Sequence, residues 1–159
     1  CKAIGKRTIS EFNYRYSDAQ QAQIYVGVKV SDDGDRFKLV NELTQKGYPV
    51  SDITDSEIAK SHIRHMVGGR SPQVGEEQVF RFEFPERPSA LANFLIELGS
   101  GLNISMFHYR NHGSAFGKVL VGFQASKEDG LEVKRFLDEL GYRYEDETHN
   151  EAYQLFLGS

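Results

Sequence analysis

Two short segments of the same shape carry the clearest chemical potential, Phe12-Asn13-Tyr14-Arg15 and Phe107-His108-Tyr109-Arg110. A phenol hydroxyl both donates and accepts hydrogen bonds, so a tyrosine beside a pocket can hold the carboxylate or amine of a small ligand. In an extended chain alternate residues share a face. Phe12, Tyr14 and Tyr16 therefore point one way, as do Phe107 and Tyr109, while Arg15 and Arg110 point the other. Core packing accounts for the two phenylalanines, and tyrosine suits strands in any case. For Tyr14 and Tyr109 two readings stand side by side: packing, or equivalent tyrosines lining two related pockets. A second candidate is the turn Pro85-Glu86-Arg87-Pro88-Ser89-Ala90-Leu91. Pro88 suits the first turn of a helix, and the free N–H groups of Ser89, Ala90 and Leu91 that follow it can receive a carboxylate. A well-capped helix gives the same pattern.

Other chemistry is thinly represented. There is no phosphate-binding G-x-x-x-x-G-K-[ST] or G-x-G-x-x-G pattern and no G-x-S-x-G nucleophile elbow. The single cysteine, Cys1, forms no internal disulfide and rules out cysteine-rich zinc sites. His62 and His65 share a helix face at a spacing of three, but no further ligands are patterned near them. Glu76-Glu77 and Glu145–Glu147 read as solvated surface charge. No metal site and no catalytic residue is expected.

The elements that position these residues follow from an internal repeat. At an offset of 95, residues 9–30 and 104–125 match at Ile9/Ile104, Ser10/Ser105, Phe12/Phe107, Tyr14/Tyr109, Arg15/Arg110, Val26/Val121 and Gly27/Gly122. Asn41-Glu42-Leu43 then parallels Asp138-Glu139-Leu140, and Gly47-Tyr48 parallels Gly141-Tyr142. The second copy reads as strand 78–84, helix from Pro88 to Gly99, strand 102–110, strand 118–124, helix 131–140 with Leu131 on its apolar side, and strand 142–146. A short tail, 151–157, follows. This is the β-α-β-β-α-β, ferredoxin-like plan. The first copy shows strands 8–16 and 22–30, helix 35–46 and strand 49–53; its first strand and most of its first helix would precede Cys1. The expected fold is α+β: two ferredoxin-like units with antiparallel sheets and helices on one face, the first unit truncated. The boundaries are 1–66, a Gly/Ser/Pro-bearing linker 67–75 after a helix at 55–65, and 76–159.

Net charge is −4 and the sequence pI about 5.7, which removes the electrostatic case for nucleic acid or an anionic membrane as partner. No apolar run of membrane-spanning length occurs, and no signal peptide precedes the first strand. These features fit a cytoplasmic protein.

The segments S-E-F-N-Y-R-Y (Ser10–Tyr16), H-I-R-H-M-V-G-G-R (His62–Arg70), F-E-F-P-E-R-P-S-A-L (Phe82–Leu91) and N-I-S-M-F-H-Y-R (Asn103–Arg110) closely resemble the C-terminal regulatory region of biosynthetic threonine dehydratase, also called threonine deaminase or threonine ammonia-lyase. The resemblance covers essentially the whole chain. It implies two ACT-like subdomains attached to a catalytic domain on the same polypeptide, in a tetrameric enzyme. That enzyme uses pyridoxal phosphate to turn L-threonine into 2-oxobutanoate and ammonia, on the route to isoleucine. It implies L-isoleucine as feedback inhibitor, and L-valine as opposing effector in many members. The family's effector tyrosines match Tyr14 and Tyr109. The cofactor lysine would lie upstream, so the resemblance implies no cofactor within these residues. One departure is Ser89, where the family turn commonly carries glycine. Competing readings are an ACT-type sensor of another enzyme, an RNA-binding ferredoxin-like domain that uses Phe80, Phe82, Phe116 and Phe123 for stacking, and an oligomerisation module without a ligand.

Overall fold

The computed structural model describes residues 2–16, 22–66, 69–72, 74–85, 89–98, 102–111, 115–126 and 128–158. Period-two alternation produces six strands: β1 (Ile9–Arg15), β2 (Ile24–Val28), β3 (Glu77–Pro85), β4 (Asn103–Arg110), β5 (Phe116–Gln124) and β6 (Tyr144–Asp146). The helices are α1 (Asp33–Gln45), α2 (Arg64–Met66, continuing a π-helical turn, Ala59–Ile63), α3 (Ala90–Leu98), α4 (Gly130–Leu140) and α5 (Glu151–Phe156). The second copy runs β3-α3-β4-β5-α4-β6, as its sequence pattern predicts.

Phe80, Phe82 and Phe84 alternate along β3 onto one face, where Val119, Val121 and Phe123 of β5 join them. Leu91, Phe94 and Leu98 of α3 and Val133 and Leu137 of α4 close the core from above. Phe94 lies 5.1 Å from the Phe82 ring and 5.3 Å from that of Phe84. Phe80, Phe82 and Phe123 have no exposed surface, so a base cannot stack on them, and of the four phenylalanines in the RNA-stacking reading Phe116 alone is exposed. Leu131, expected on the apolar side of α4, is instead 85% exposed. It sits in the first turn of the helix, beyond the sheet surface that Val133 and Leu137 cover.

The two expected sheets are one. Its strand order is β2-β1-β4-β5-β3-β6, and the copies meet where β1 pairs antiparallel with β4. Asn13 lies opposite His108 in that ladder, and these two residues are equivalents in the repeat. The seam therefore has a local two-fold relation passing through this pair. Both copies carry the same β-bulge. The register shifts between Ile9 and Glu11 opposite β2, and between Ile104 and Met106 opposite β5. Ser10 and Ser105 are the inserted residues, and Gly27 and Gly122 face them. The helices α1 and α4 also end alike, beside glycines in the left-handed conformation, Gly47 (φ 83°) and Gly141 (φ 71°), a stop that glycine adopts without steric cost. Thus the repeated Gly-Tyr pairs mark equivalent helix ends.

The strand expected at 49–53 does not form; this stretch is irregular. In the second copy β6 pairs only with β3, and among the described residues the first copy has no counterpart of β3. Pro49–Ile53 thus has no ladder to join. For the same reason β2 is an outer strand, with Ile24 and Val26 exposed.

Helices do not cover one face alone. On the reverse face α5 packs Tyr153 and Leu157 against Val79, Met106 and Leu120. Asn150 starts α5 by accepting from the Ala152 N–H at 2.9 Å. No helix among the described residues is long and apolar enough to cross a membrane.

Candidate functional site

The structure brings Tyr14 and Tyr109 to one place. They stand on adjacent strands, with Tyr14 opposite Phe107 and Tyr109 opposite Phe12, so the tyrosines are diagonal neighbours on the helix-covered face. Phe12 and Phe107 meet edge to face at 5.8 Å. These four rings surround the two-fold at Asn13/His108. Instead of two separate pockets, the repeat therefore builds one aromatic quartet.

Its two tyrosines are not in equal settings. Tyr109 is 2% exposed and stacks on Phe84 at 6.2 Å, with the ring planes 7° apart. Tyr14 is half-buried, and burial, followed by the nearby Tyr16 phenol, raises its pKa above the usual tyrosine value. The neutral phenol is thus the stable form, able to donate to a carboxylate. Leu95 of α3 packs against the same core cluster as Tyr14 does. It also lines a cavity of about 260 Å³ between α3 and the N-terminal turn, with Lys2, Ala3, Tyr48, Ala92 and Ile96 as the other walls. Neither tyrosine lines this cavity directly.

The turn residues fare differently. Pro88 lies outside the described residues. Ser89 has φ 67°, the only described non-glycine residue in the left-handed region, and its carbonyl accepts from the Asn93 N–H at 2.9 Å as α3 begins. Ala90 is partly buried against the core, and Leu91 belongs to it. Leu91 therefore packs the helix onto the sheet.

The arginines of the repeated segment project to the reverse face, as alternation requires. There Arg15 Nη1 lies 2.5 Å from Glu77 Oε1, and Arg15 Nη2 donates to the Leu157 carbonyl at 3.1 Å. Ser105 Oγ also donates to Glu77 Oε1, and Tyr153 Oη to Glu77 Oε2 at 2.5 Å. Burial, then the Glu77 hydrogen bond, pushes the Tyr153 phenol pKa up. Arg110 lies 3.5 Å from Glu11, which Arg64 also contacts. Glu77 was expected at the surface, but its side chain is only 2% exposed. The serine and glycine of the bulge leave room for its carboxylate: a Cβ on Gly122 would stand 2.7 Å from Glu77 Oε1. The repeated Ser…Val-Gly pattern was the available signal. Beside this set, burial, then the Arg110 charge, lowers the His108 pKa and favours neutral imidazole.

Of the other carboxylates, Glu145 is surface-exposed, whereas Glu147 is mostly buried; both pair with Arg81. His62 and His65 are exposed. No cluster of three or more His, Cys, Asp or Glu residues able to hold a metal occurs among the described residues.

The model of the C-terminal regulatory domain of threonine dehydratase matches residues 1–63 and 68–157. This chain belongs to that family. The break between the matched stretches falls at the end of the π-helical segment and the start of the linker. The regulatory domain is 48% identical over 157 residues to the biosynthetic L-threonine dehydratase of Burkholderia multivorans, covering 99% of this chain and 31% of that protein. It is 46% identical over 159 residues to the Escherichia coli enzyme, covering 99% and 30%. Against the mitochondrial threonine dehydratase of Saccharomyces cerevisiae it is 44% identical over 165 residues, covering 98% and 28%. The regulatory domain thus spans under a third of the length of these curated relatives.

Proposed function

We propose that the chain is the effector-sensing region of a threonine ammonia-lyase, binding L-isoleucine as feedback inhibitor and L-valine as an opposing effector at the seam between its copies. The observation that carries this reading is the convergence of the repeat-equivalent tyrosines Tyr14 and Tyr109 on one seam in a member of the regulatory-domain family. A branched aliphatic amino acid requires an apolar wall with a few fixed polar groups. Phe12 and Phe107 supply such a wall beside the half-buried Tyr14. Isoleucine and valine differ by one methylene, worth about 1–3 kcal/mol of discrimination. Their opposed effects then arise from different preferences for two arrangements of the copies, each ligand shifting the population it favours.

In this reading residues 1–66 and 76–159 are ACT-like subdomains joined by a linker, 67–75. Their partner is a catalytic domain on the same polypeptide, within a homotetramer. That domain converts L-threonine to 2-oxobutanoate and ammonia with pyridoxal phosphate. Every described lysine of this chain is solvent-exposed, which does not suit a buried cofactor linkage, so the cofactor belongs to the catalytic domain. We place this enzyme in the cytoplasm, whereas the yeast relative carries a mitochondrial name.

Calorimetric titration of the chain with L-isoleucine, L-valine and D-isoleucine tests the proposal. Heat specific to the L-isomer and lost in Tyr14→Phe is the expected result. Absence of heat from a chain with native circular dichroism overturns the reading and leaves an assembly role without a ligand.

A further inference from the structure

We propose that the arginines of the repeated segment, Arg15 and Arg110, are positioning residues that couple the copies, each tying the strand of its own tyrosine to a glutamate of the other copy. The significance of those tyrosines rests on the function proposed above, but the mechanical tie stands on geometry alone. Arg15 belongs to the first copy and reaches Glu77 of the second; Arg110 belongs to the second and reaches Glu11 of the first. The contacts are reciprocal although their acids are not repeat equivalents. Glu11 corresponds to Met106, so the second copy supplies its acid from the next strand but one, β3.

Each glutamate is held on its own side. Ser105 and Tyr153 fix the Glu77 carboxylate to β4 and α5. Arg64 anchors Glu11 to the helical segment before the linker. Arg15 and Glu77 are 5% and 2% exposed, so parting them would strand a buried charge. Such pairs favour one arrangement over its neighbours more than they add net stability. Tyr14 and Arg15 are consecutive on β1, as are Tyr109 and Arg110 on β4. A shift of either strand at the aromatic quartet is therefore transmitted through a single peptide to a cross-copy ion pair on the reverse face. The seam thereby acquires discrete closed and open states, as a coupling element needs.

Native-state amide exchange on this chain tests the tie, comparing wild type with Arg15→Met, Arg15→Lys and Arg110→Met. Removal of a hydrogen bond to a buried charge should speed exchange along β1 by roughly 10- to 100-fold in Arg15→Met, with the β3–β5 ladder unchanged. Arg15→Lys should restore only part of that protection, because one ammonium does not reproduce the guanidinium fork to Glu77 and Leu157. Should Arg15→Met not fold, the more exposed Arg110→Met carries the test, with a smaller acceleration expected on the same strand. Unchanged β1 protection, or an equal loss along β3, would overturn the proposal. A parallel isoleucine titration separates the two readings. With a binding wild type, Arg15→Met should still bind L-isoleucine, because Arg15 meets Glu77 on the face of the sheet opposite the tyrosines. If wild type gives no heat, the effector reading falls and amide exchange alone decides the tie.

Discussion

The two bulge glycines occupy equivalent places in the repeat, yet alanine should affect them unequally. At Gly122 the new Cβ would meet Glu77 Oε1 at 2.7 Å, Glu77 Cδ at 3.0 Å and the Met106 Cβ at 3.1 Å. The carboxylate cannot simply turn aside, because Arg15, Ser105 and Tyr153 grip it. Displacing it forfeits at least one hydrogen bond to a charged group, about 1.5–3 kcal/mol. Alanine recovers about 0.5–1 kcal/mol because glycine loses more chain entropy on folding. The net cost of Gly122→Ala is therefore about 1–2 kcal/mol. At Gly27 the Cβ would meet Ser10 Oγ at 2.7 Å, and its next neighbour, the Glu11 Cβ, stands at an ordinary van der Waals distance of 3.4 Å. A serine hydroxyl can rotate to another staggered position, so Gly27→Ala should stay within about 0.5 kcal/mol of wild type. Urea unfolding followed by far-ultraviolet circular dichroism measures both, with an unchanged slope expected. Equal destabilisation by the two substitutions would refute the reasoning, since it would mean that backbone fit, not the buried carboxylate, sets the requirement for glycine.

Three further outcomes follow from the geometry. Ser89→Gly should raise stability by about 0.5–1 kcal/mol in the same urea assay, because left-handed backbone strains any residue with a Cβ and φ at Ser89 is 67°. Tyr109→Ala should cost about 3–5 kcal/mol through the cavity it leaves in the core. Tyr109→Phe keeps the ring and is the variant suited to ligand titration, where loss of L-isoleucine heat in a fully folded protein would assign the hydroxyl to the effector. The Arg7 hydrogen bond holds the Asp35 pKa below its ordinary 3.8. A depressed carboxylate stabilises the fold above its unfolded pKa, and this contribution disappears as pH falls through the folded value. Unfolding midpoints should therefore drop on acidification below 3.8, and less steeply in Asp35→Asn.

What the sequence revealed and what it concealed have separate physical causes. Alternating phenylalanines in β3 and helical spacing in α3 declare a buried face directly, and such periodicity was enough to predict the ferredoxin-like plan of the second copy. The arginines' side of the strands followed from alternation alone. Glu77 was misread because a carboxylate's burial depends on partners far along the chain. Tyr153 lies 76 residues away and Arg15 62, and no local pattern records either. The segment 49–53 has strand-like composition but no neighbour to pair with, and composition does not report a missing partner. The merging of two sheets into one was equally hidden, since the ladder between β1 and β4 is a property of two edges meeting. That meeting also turned two expected tyrosine pockets into one shared quartet.

The free side of β2 has a use in protein engineering. In the second copy the corresponding strand, β5, is zipped to β3 along nine residue pairs, so the chain carries its own template for what fits beside β2. A variant that begins with a copy of residues 77–85, joined to Lys2 by a flexible tether long enough to cross the sheet, would cap the exposed border from within. Its glutamate would arrive beside Ser10 and Gly27, the repeat counterparts of the Ser105 and Gly122 that flank Glu77. Such a capped version would resist strand exchange between molecules at high concentration and give crystallisation trials a more uniform sample.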